Sequence, residues 1–493
     1  MTPVLPAYQH PTLYQIFTRI WLDELSRAAG APVTLATVPD AALDRLAALG
    51  VDLVYLMGVW TLGEEGPRIS RENHAIRAEL DLALPWRTDA DVVGSPFAIA
   101  RYEVHPAFGG DEALAALRAR IAARGMGLVL DFVPNHLARD HHWVKERPAC
   151  FLRGNDGALL CGKDPYLPPW PDTAQLDLWL EVTRAALIEA LRGVASRCDG
   201  VRCDMAMLVL DDVFRRTWAL RPPAPGEPEG RREFWADAID AVRREAPRFL
   251  FIAEAYWDLE WRLQLLGFDY TYDKSLYDRL SHASASAIRA HLGATADYQR
   301  RSVRFVENHD EPRIAAVLPP DRRKAATLIA ATVPGMRFFH HGQIEGRVTR
   351  TSVHLARVAG EADDADCLAF HERLFAALRR PTLRGGNFAP LTPEGPGGDA
   401  FVAYRWDAPP GRAFQGLDAP PPAPLVVIVN FSPARAACRV PLDLAGLAGR
   451  QVVLTDLMSG EAFPHDGDAL VDTARGLGVA LPPYGTHLFE IRR

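Results

Sequence analysis

The chain has 493 residues, a formal net charge of −7, 48 % hydrophobic and 24 % charged residues; this is the profile of an ordinary soluble protein large enough for a catalytic domain and a smaller one. The acidic balance excludes broad binding to nucleic acid or to anionic membranes, because both need a basic surface. The opening stretch MTPVLPAYQHPTLYQIFTRIW has no basic segment followed by an apolar one, and no uninterrupted apolar run of spanning length occurs, so a cytoplasmic protein with no membrane partner is expected. Its six cysteines (Cys150, Cys161, Cys198, Cys203, Cys367 and Cys438) form no CxxC pair and read as reduced thiols.

Short apolar runs alternate with helical patterns along the first three quarters of the chain, as in βα units around a parallel sheet. LYQIF (13–17) is the first strand; VDLVYLMG (51–58) is the second, after a helix that stops at Gly50 as a C-terminal glycine should. A polar, Trp-containing insertion follows over 59–91. A helix over 111–124 leads to a third strand ending at Asp131, and 137–177 then has loop character, too long for an ordinary connection and therefore functional. The fourth strand carries Arg202 and Asp204, and the fifth to eighth fall in 247–257, 268–273, 302–310 and 335–342.

Eight such units predict the α/β class and a closed (β/α)8 TIM barrel over 1–383, with a small subdomain inserted after the third strand at 137–178. From about 381 to 398 a Gly/Pro-rich linker is expected. The β-rich runs FVAYRW, PLVVIVNF, QVVLTDL and THLFEI then predict an all-β sandwich over 384–493, with DAPPPAP (418–424) as a loop inside it.

In GVRCD (200–204), residues two apart on a strand share a face, so Arg202 and Asp204 point into one cavity. The guanidinium keeps the carboxylate anionic and aimed, as a nucleophile must be. Acidic and imidazole groups recur at the expected strand ends: Asp131 and His136, Asp204, Glu254, His309 and Asp310. In a barrel, that rim is where active sites are built. Glu254 is followed by Ala255, Tyr256 and Trp257, an apolar setting expected to raise its pKa and suit it to a general acid. One charged and one protonated carboxyl are what glycoside hydrolysis requires.

The segments DFVPNH (131–136), GVRCD (200–204), IAEAYW (252–257) and FVENHD (305–310) resemble, in order, the four signature regions of the α-amylase family of glycoside hydrolases, glycoside hydrolase family 13. GSPFAIARYEVHPAFGG and LPPYGTHLFEI are similar to flanking parts of that family. The resemblance implies Asp204 as nucleophile, Glu254 as acid/base and Asp310 as the third carboxylate. It implies sugar contacts from His136, His309 and the aromatic Phe97, with Arg202 orienting Asp204 and Asp131 structural. Trp257 is expected against the leaving-group sugar. The implied reaction is retaining cleavage of α-glucosides or short α-glucans through a covalent glycosyl-enzyme.

Three departures from the family pattern bear on specificity: Met207 and Leu208 replace a Lys-His pair, Phe97 replaces a tyrosine, and Gln175 stands where a calcium-binding Asp is usual, although Asn135 matches another calcium ligand. No cofactor and no metal are therefore expected. A transglycosylase or α-glucoside isomerase using a sugar acceptor is the first alternative, and a non-catalytic amylase-like scaffold the second. His340, His341, Glu345 and Arg347 either line the sugar site or fill the rim. His141, His142 and Trp143 read as solvent-facing loop residues.

Overall fold

The computed structural model describes residues 9–218, 231–408, 422–472 and 476–492. Eight strands, β1 (Thr12–Phe17), β2 (Leu53–Met57), β3 (Gly127–Phe132), β4 (Gly200–Cys203), β5 (Leu250–Ala253), β6 (Tyr270–Tyr272), β7 (Ser302–Arg304) and β8 (Met336–His340), close into a barrel in the order β1-β8-β7-β6-β5-β4-β3-β2. Each is short and almost wholly buried, because helices cover the outside while side chains fill the inside. The helix Asp40–Leu49 ends where Gly50 turns left-handed at φ 79°, one residue before the chain enters the approach to β2.

The described chain divides into two compact units, one made of 13–272 and 349–361, the other of 9–12, 273–348 and 362–492. In the first, β2 is followed by an excursion closed by an antiparallel pairing of Trp60–Leu62 with Ile99–Val104. It holds the helices Glu65–Glu72 and His74–Ala83, the second capped by the Asn73 side chain. Segment 349–361 is stitched to this excursion by Val93 N–H to His354 O at 2.9 Å and Ala356 N–H to Asp91 O at 2.8 Å. Leu80, Ala83, Leu84, Val92 and Leu355 form a small apolar cluster beneath it. The expected loop at 137–177 is closed by a second hairpin, His136–Ala138 against Thr173–Gln175.

In the second unit, β9 (Asn387–Leu391), β10 (Phe401–Asp407), β11 (Leu425–Asn430), β12 (Ala436–Val440), β13 (Gln451–Asp456), β14 (Ala462–Asp466), β15 (Leu477–Leu481) and β16 (Thr486–Arg492) build the C-terminal domain. A six-stranded antiparallel sheet, β9-β10-β11-β16-β13-β14, faces the ribbon β12-β15 across a core that includes Phe401, Ile428, Leu454, Val440 and Val479. The sequence expectation of a linker over 381–398 is corrected: a helix spans Pro381–Gly385, and β9 pairs along β10 from Asn387 to Leu391. Gly/Pro punctuation there marks short elements rather than a tether. The DAPPPAP segment lies partly outside the described residues. All six cysteines are free thiols, and no helix among the described residues is long and apolar enough to cross a membrane.

Candidate active site

Arg202 is the centre of the first unit's site. Its β4 position stands beside Asp131 of β3 and Ile252 of β5 in the parallel register, and the alternation of the strand turns its side chain inward. β4 ends at Cys203, but the ladder persists through Asp204 N–H to Phe132 O at 2.9 Å and Glu254 N–H to Cys203 O at 3.0 Å. Backbone pairing thus carries both acids into place. Arg202 Nη1 meets Asp204 Oδ1 at 2.7 Å, and its Nη2 meets Glu254 Oε1 at 2.7 Å. Asp131 Oδ1 lies farther off, 3.7 Å from Nη1.

Glu254 does not have the apolar surroundings expected from its sequence neighbours. Tyr256 turns its hydroxyl back onto Oε1 at 3.0 Å, and Met205 donates its backbone N–H to Oε2 at 2.6 Å. Met205 has φ 42°, an unfavourable conformation for a side-chain-bearing residue, and it is this turn that carries the amide donating to Glu254. The carboxylate sits in a cradle of donors. Neither Met205 nor Tyr256 was singled out for this role by sequence: a backbone donor such as Met205 leaves no residue-type signature, and the Tyr256 hydroxyl reaches Oε1 only because the chain turns back after β5.

Three buried carboxyls thus share one guanidinium. Burial works to depress the Arg202 pKa, but the charges of Glu254 and Asp204 outweigh it and hold the group well above its ordinary value. For Asp131 burial wins, and its pKa is raised despite the pull of Arg202, Tyr55 and the Gly58 amide. Tyr55 donates to Asp131 Oδ1, Gly58 N–H to Oδ2 at 2.8 Å, and Trp60 Nε1–H to its carbonyl at 2.8 Å. This agrees with a structural role for Asp131.

Phe97 lies with its ring centre 5.2 Å from the Arg202 guanidinium, and Tyr272 does the same at 5.8 Å. Phe97 was expected as a platform for the sugar, and its place beside the guanidinium is a separate finding; Tyr272, on a weakly patterned strand, was not singled out. His136 is buried at the entry to its hairpin, its Nδ1 3.3 Å from the Asn135 amide. If that amide donates, Nε2 carries the ring proton. Burial pushes its pKa down to about 3, so it is neutral at physiological pH. Trp257, at φ 65°, meets Tyr166 edge-to-face at 5.0 Å. Met207 and Leu208 are buried apolar residues.

In the second unit, His309 Nε2 stands 3.1 Å from Asp310 Oδ2; the imidazole is buried and the carboxylate 44 % exposed. Asn308 Oδ1 fixes the turn by accepting from the Asp310 and Glu311 amides, both at 2.9 Å. Glu307 is a structural ion-pair partner, 2.9 Å from Arg313 Nη1. His340 and Glu345 are buried, and burial holds the His340 pKa well below its usual value. The solvent-facing expectation for 141–143 is corrected as well. His141 and Trp143 are buried, His141 accepts from the Trp143 amide at 3.1 Å, and the two imidazoles stack at 4.3 Å.

The calcium position implied by the family resemblance is filled by an amide. Gln175 Nε2 lies 2.9 Å from Asn135 O, 3.1 Å from Asn135 Oδ1 and 3.1 Å from Leu176 O. An N–H group pointed at these oxygens competes with a cation for them and cannot ligate one. Among the described residues no cluster of three or more His, Cys, Asp or Glu is arranged to hold a metal.

A model of the alpha amylase catalytic domain matches residues 42–150. An alpha-1,4-glucan:maltose-1-phosphate maltosyltransferase from Rhodospirillum rubrum is 30 % identical over 254 residues, 48 % of this chain and 31 % of that protein. A maltosyltransferase of the same name from Mycobacterium tuberculosis is 26 % identical over 317 residues, 62 % of this chain and 40 % of that one. The match spans less than half the length of these relatives. A maltogenic alpha-amylase from Thermotoga neapolitana superposes with TM-score 0.70 at 18 % identity, covering 98 % of this chain and 99 % of its own. An alpha-amylase from Lactobacillus plantarum gives 0.67 at 20 % identity, covering 98 % of each chain.

Proposed function

We propose that this chain, a member of the α-amylase family of glycoside hydrolases, is a retaining enzyme that cleaves α-glucosidic bonds of α-glucosides or short α-glucans. The observation that carries this reading is the sharing of one buried guanidinium by Asp204 and Glu254. A single planar fork draws two carboxyls together, which suits the separation of about 5–5.5 Å used in retention better than the wider gap used in inversion.

Asp204 attacks the anomeric carbon as the bond to the leaving oxygen breaks, and Glu254 gives that oxygen its proton. A second hydroxyl then adds to the same carbon, releases Asp204 and returns a proton to Glu254. Three carboxyls against one cation leave surplus negative charge, which favours holding one proton in the cluster as substrate excludes water. His136, Phe97 and Arg202 contact or support the bound sugar. Asp310 and His309 bind sugar hydroxyls as the FVENHD resemblance implies. No calcium acts at Asn135, and the Gln175 amide carries out the cross-linking there.

Transfer to a sugar acceptor is a second reading, favoured by the names of the curated relatives and by the Tyr166–Trp257 pair beyond Glu254. Exposed aromatic faces hold a sugar where water would otherwise enter. The test is to incubate the protein with α-glucosyl fluoride, maltose and maltooligosaccharides, following product anomers by proton NMR and chain lengths by chromatography. A first product of α configuration supports retention, and a β product overturns it. Lengthened sugars select transfer, and their absence selects hydrolysis.

A further inference from the structure

Just past the end of β5 at Ala253 the chain reverses sharply. Leu259 N–H donates to Tyr256 O at 3.3 Å, and the two residues inside that turn, Trp257 and Asp258, both lie in the left-handed region at φ 65° and 60°. Such a turn is ordinarily built from Gly, Asn or Asp, so a tryptophan there holds a conformation it disfavours. Strain of this kind next to an acid points to a task for the groups it places. Trp257 goes to meet the exposed Tyr166, while Tyr256 folds back so that its hydroxyl donates to Glu254 Oε1 at 3.0 Å.

The carboxyl that Tyr256 reaches is also held from other directions. Met205 N–H donates to Oε2 at 2.6 Å, and Arg202 Nη2 of β4 stands 2.7 Å from Oε1. Asp131 on β3 and Tyr272 on β6 lie within electrostatic reach of Glu254, and Asp204 shares its arginine. Each Glu254 oxygen thus has its own hydrogen-bond donor: a backbone amide on Oε2 and a side-chain hydroxyl on Oε1. A donated hydrogen bond is stronger to a carboxylate than to a neutral acid, so the hydroxyl favours the ionised form of the group it faces. Glu254 is buried and Tyr256 half-buried, which keeps water from supplying the same bond freely.

We propose that Tyr256 is a positioning residue for the acid/base: its hydroxyl pins Glu254 Oε1 and favours the carboxylate, readying Glu254 to take the proton of the second hydroxyl when the glycosyl-enzyme is opened. The inference rests on the reading of Glu254 as acid/base. In the first half Glu254 gives its proton to the leaving oxygen, and Tyr256 stabilises the carboxylate that results. In the second half the O–H bond of the incoming hydroxyl breaks, its oxygen bonds the anomeric carbon, Asp204 leaves, and the proton moves onto Glu254. Tyr256 keeps its own proton throughout and acts through Glu254.

The test uses the full chain with Tyr256→Phe, which keeps the ring, and with 3-fluorotyrosine at position 256, which keeps the hydroxyl and makes it a stronger donor. Loss of the donor raises the Glu254 pKa, so the acid stays protonated to higher pH. On α-glucosides with poor leaving groups, the alkaline limb of the kcat/KM profile should move up by about one pH unit in Tyr256→Phe and down in the fluorinated protein. The pH below which kcat on α-glucosyl fluoride fails should rise in Tyr256→Phe too, because opening the glycosyl-enzyme needs the carboxylate. An alkaline limb unmoved in both proteins, or moved the same way in both, overturns the proposal. Carbon-13 NMR of labelled glutamate, with Glu254→Gln for assignment, reads the same titration without turnover. A wild type inert on every α-glucoside would refute the proposed function instead, and identical Glu254 titration in wild type and Tyr256→Phe would still overturn the tyrosine's hold on the carboxyl.

Discussion

Replacing Arg202 by alanine removes a guanidinium that is ion-paired with both Asp204 and Glu254, with the three side chains 1 %, 7 % and 3 % exposed. Deleting one partner of a buried ion pair costs about 3–5 kcal/mol, against about 0–1 kcal/mol for an exposed pair. Two direct pairs at 2.7 Å place Arg202→Ala in the upper range, unless the orphaned acids take up protons. That escape has a pH signature. Asp131 already has its pKa raised by burial, with Arg202 opposing the rise, so loss of the arginine lifts it further.

A carboxyl whose pKa is raised on folding contributes its stability below its unfolded value, and that stability is lost as pH climbs through the folded value. Each proton so required costs about 1.4 kcal/mol per pH unit within that window. The variant should therefore lose more stability relative to wild type at pH 8 than at pH 5. Urea unfolding of the full chain at pH 5, 6.5 and 8, followed by tryptophan fluorescence and circular dichroism, measures this. A deficit under about 1 kcal/mol, or one identical at every pH, would refute the shared-charge account of the site.

Glu254→Gln should lose activity on poor leaving groups by roughly 100- to 10,000-fold and much less on α-glucosyl fluoride; equal losses would remove Glu254 from the acid role. Gln175→Asp replaces an amide donor by a buried carboxylate facing Asn135 O and Asn135 Oδ1, and should lower Tm with partial recovery in millimolar CaCl2. Wild-type Tm should ignore both calcium and EDTA, and a chelator-sensitive wild type would contradict the amide cross-link. Trp257→Ala and Tyr166→Ala should reduce the ratio of transfer to hydrolysis when maltose is offered as acceptor, measured by product chromatography. An unchanged ratio in both would remove the aromatic pair from acceptor binding.

What the sequence determined by itself was whatever depends on neighbours along the chain. The alternation of GVRCD put Arg202 and Asp204 on one face, and eight apolar runs separated by helical patterns specified the barrel before any contact was known. The C-terminal runs likewise gave β10, β11, β13 and β16, whereas β9 was hidden among glycines and prolines because its pairing with β10 matters more than its own propensity. Only the tertiary structure decided the electrostatics of Glu254: Ala255 and Trp257 suggested an apolar wall, yet Arg202 is brought in from β4, Met205 offers a backbone amide and Tyr256 folds back to donate. The Gln175 amide over Asn135 and the contact of Ser70 with His354 were equally invisible. Their partners lie up to hundreds of residues apart, and hydrogen bonds act over about 3 Å of space without regard to distance along the chain.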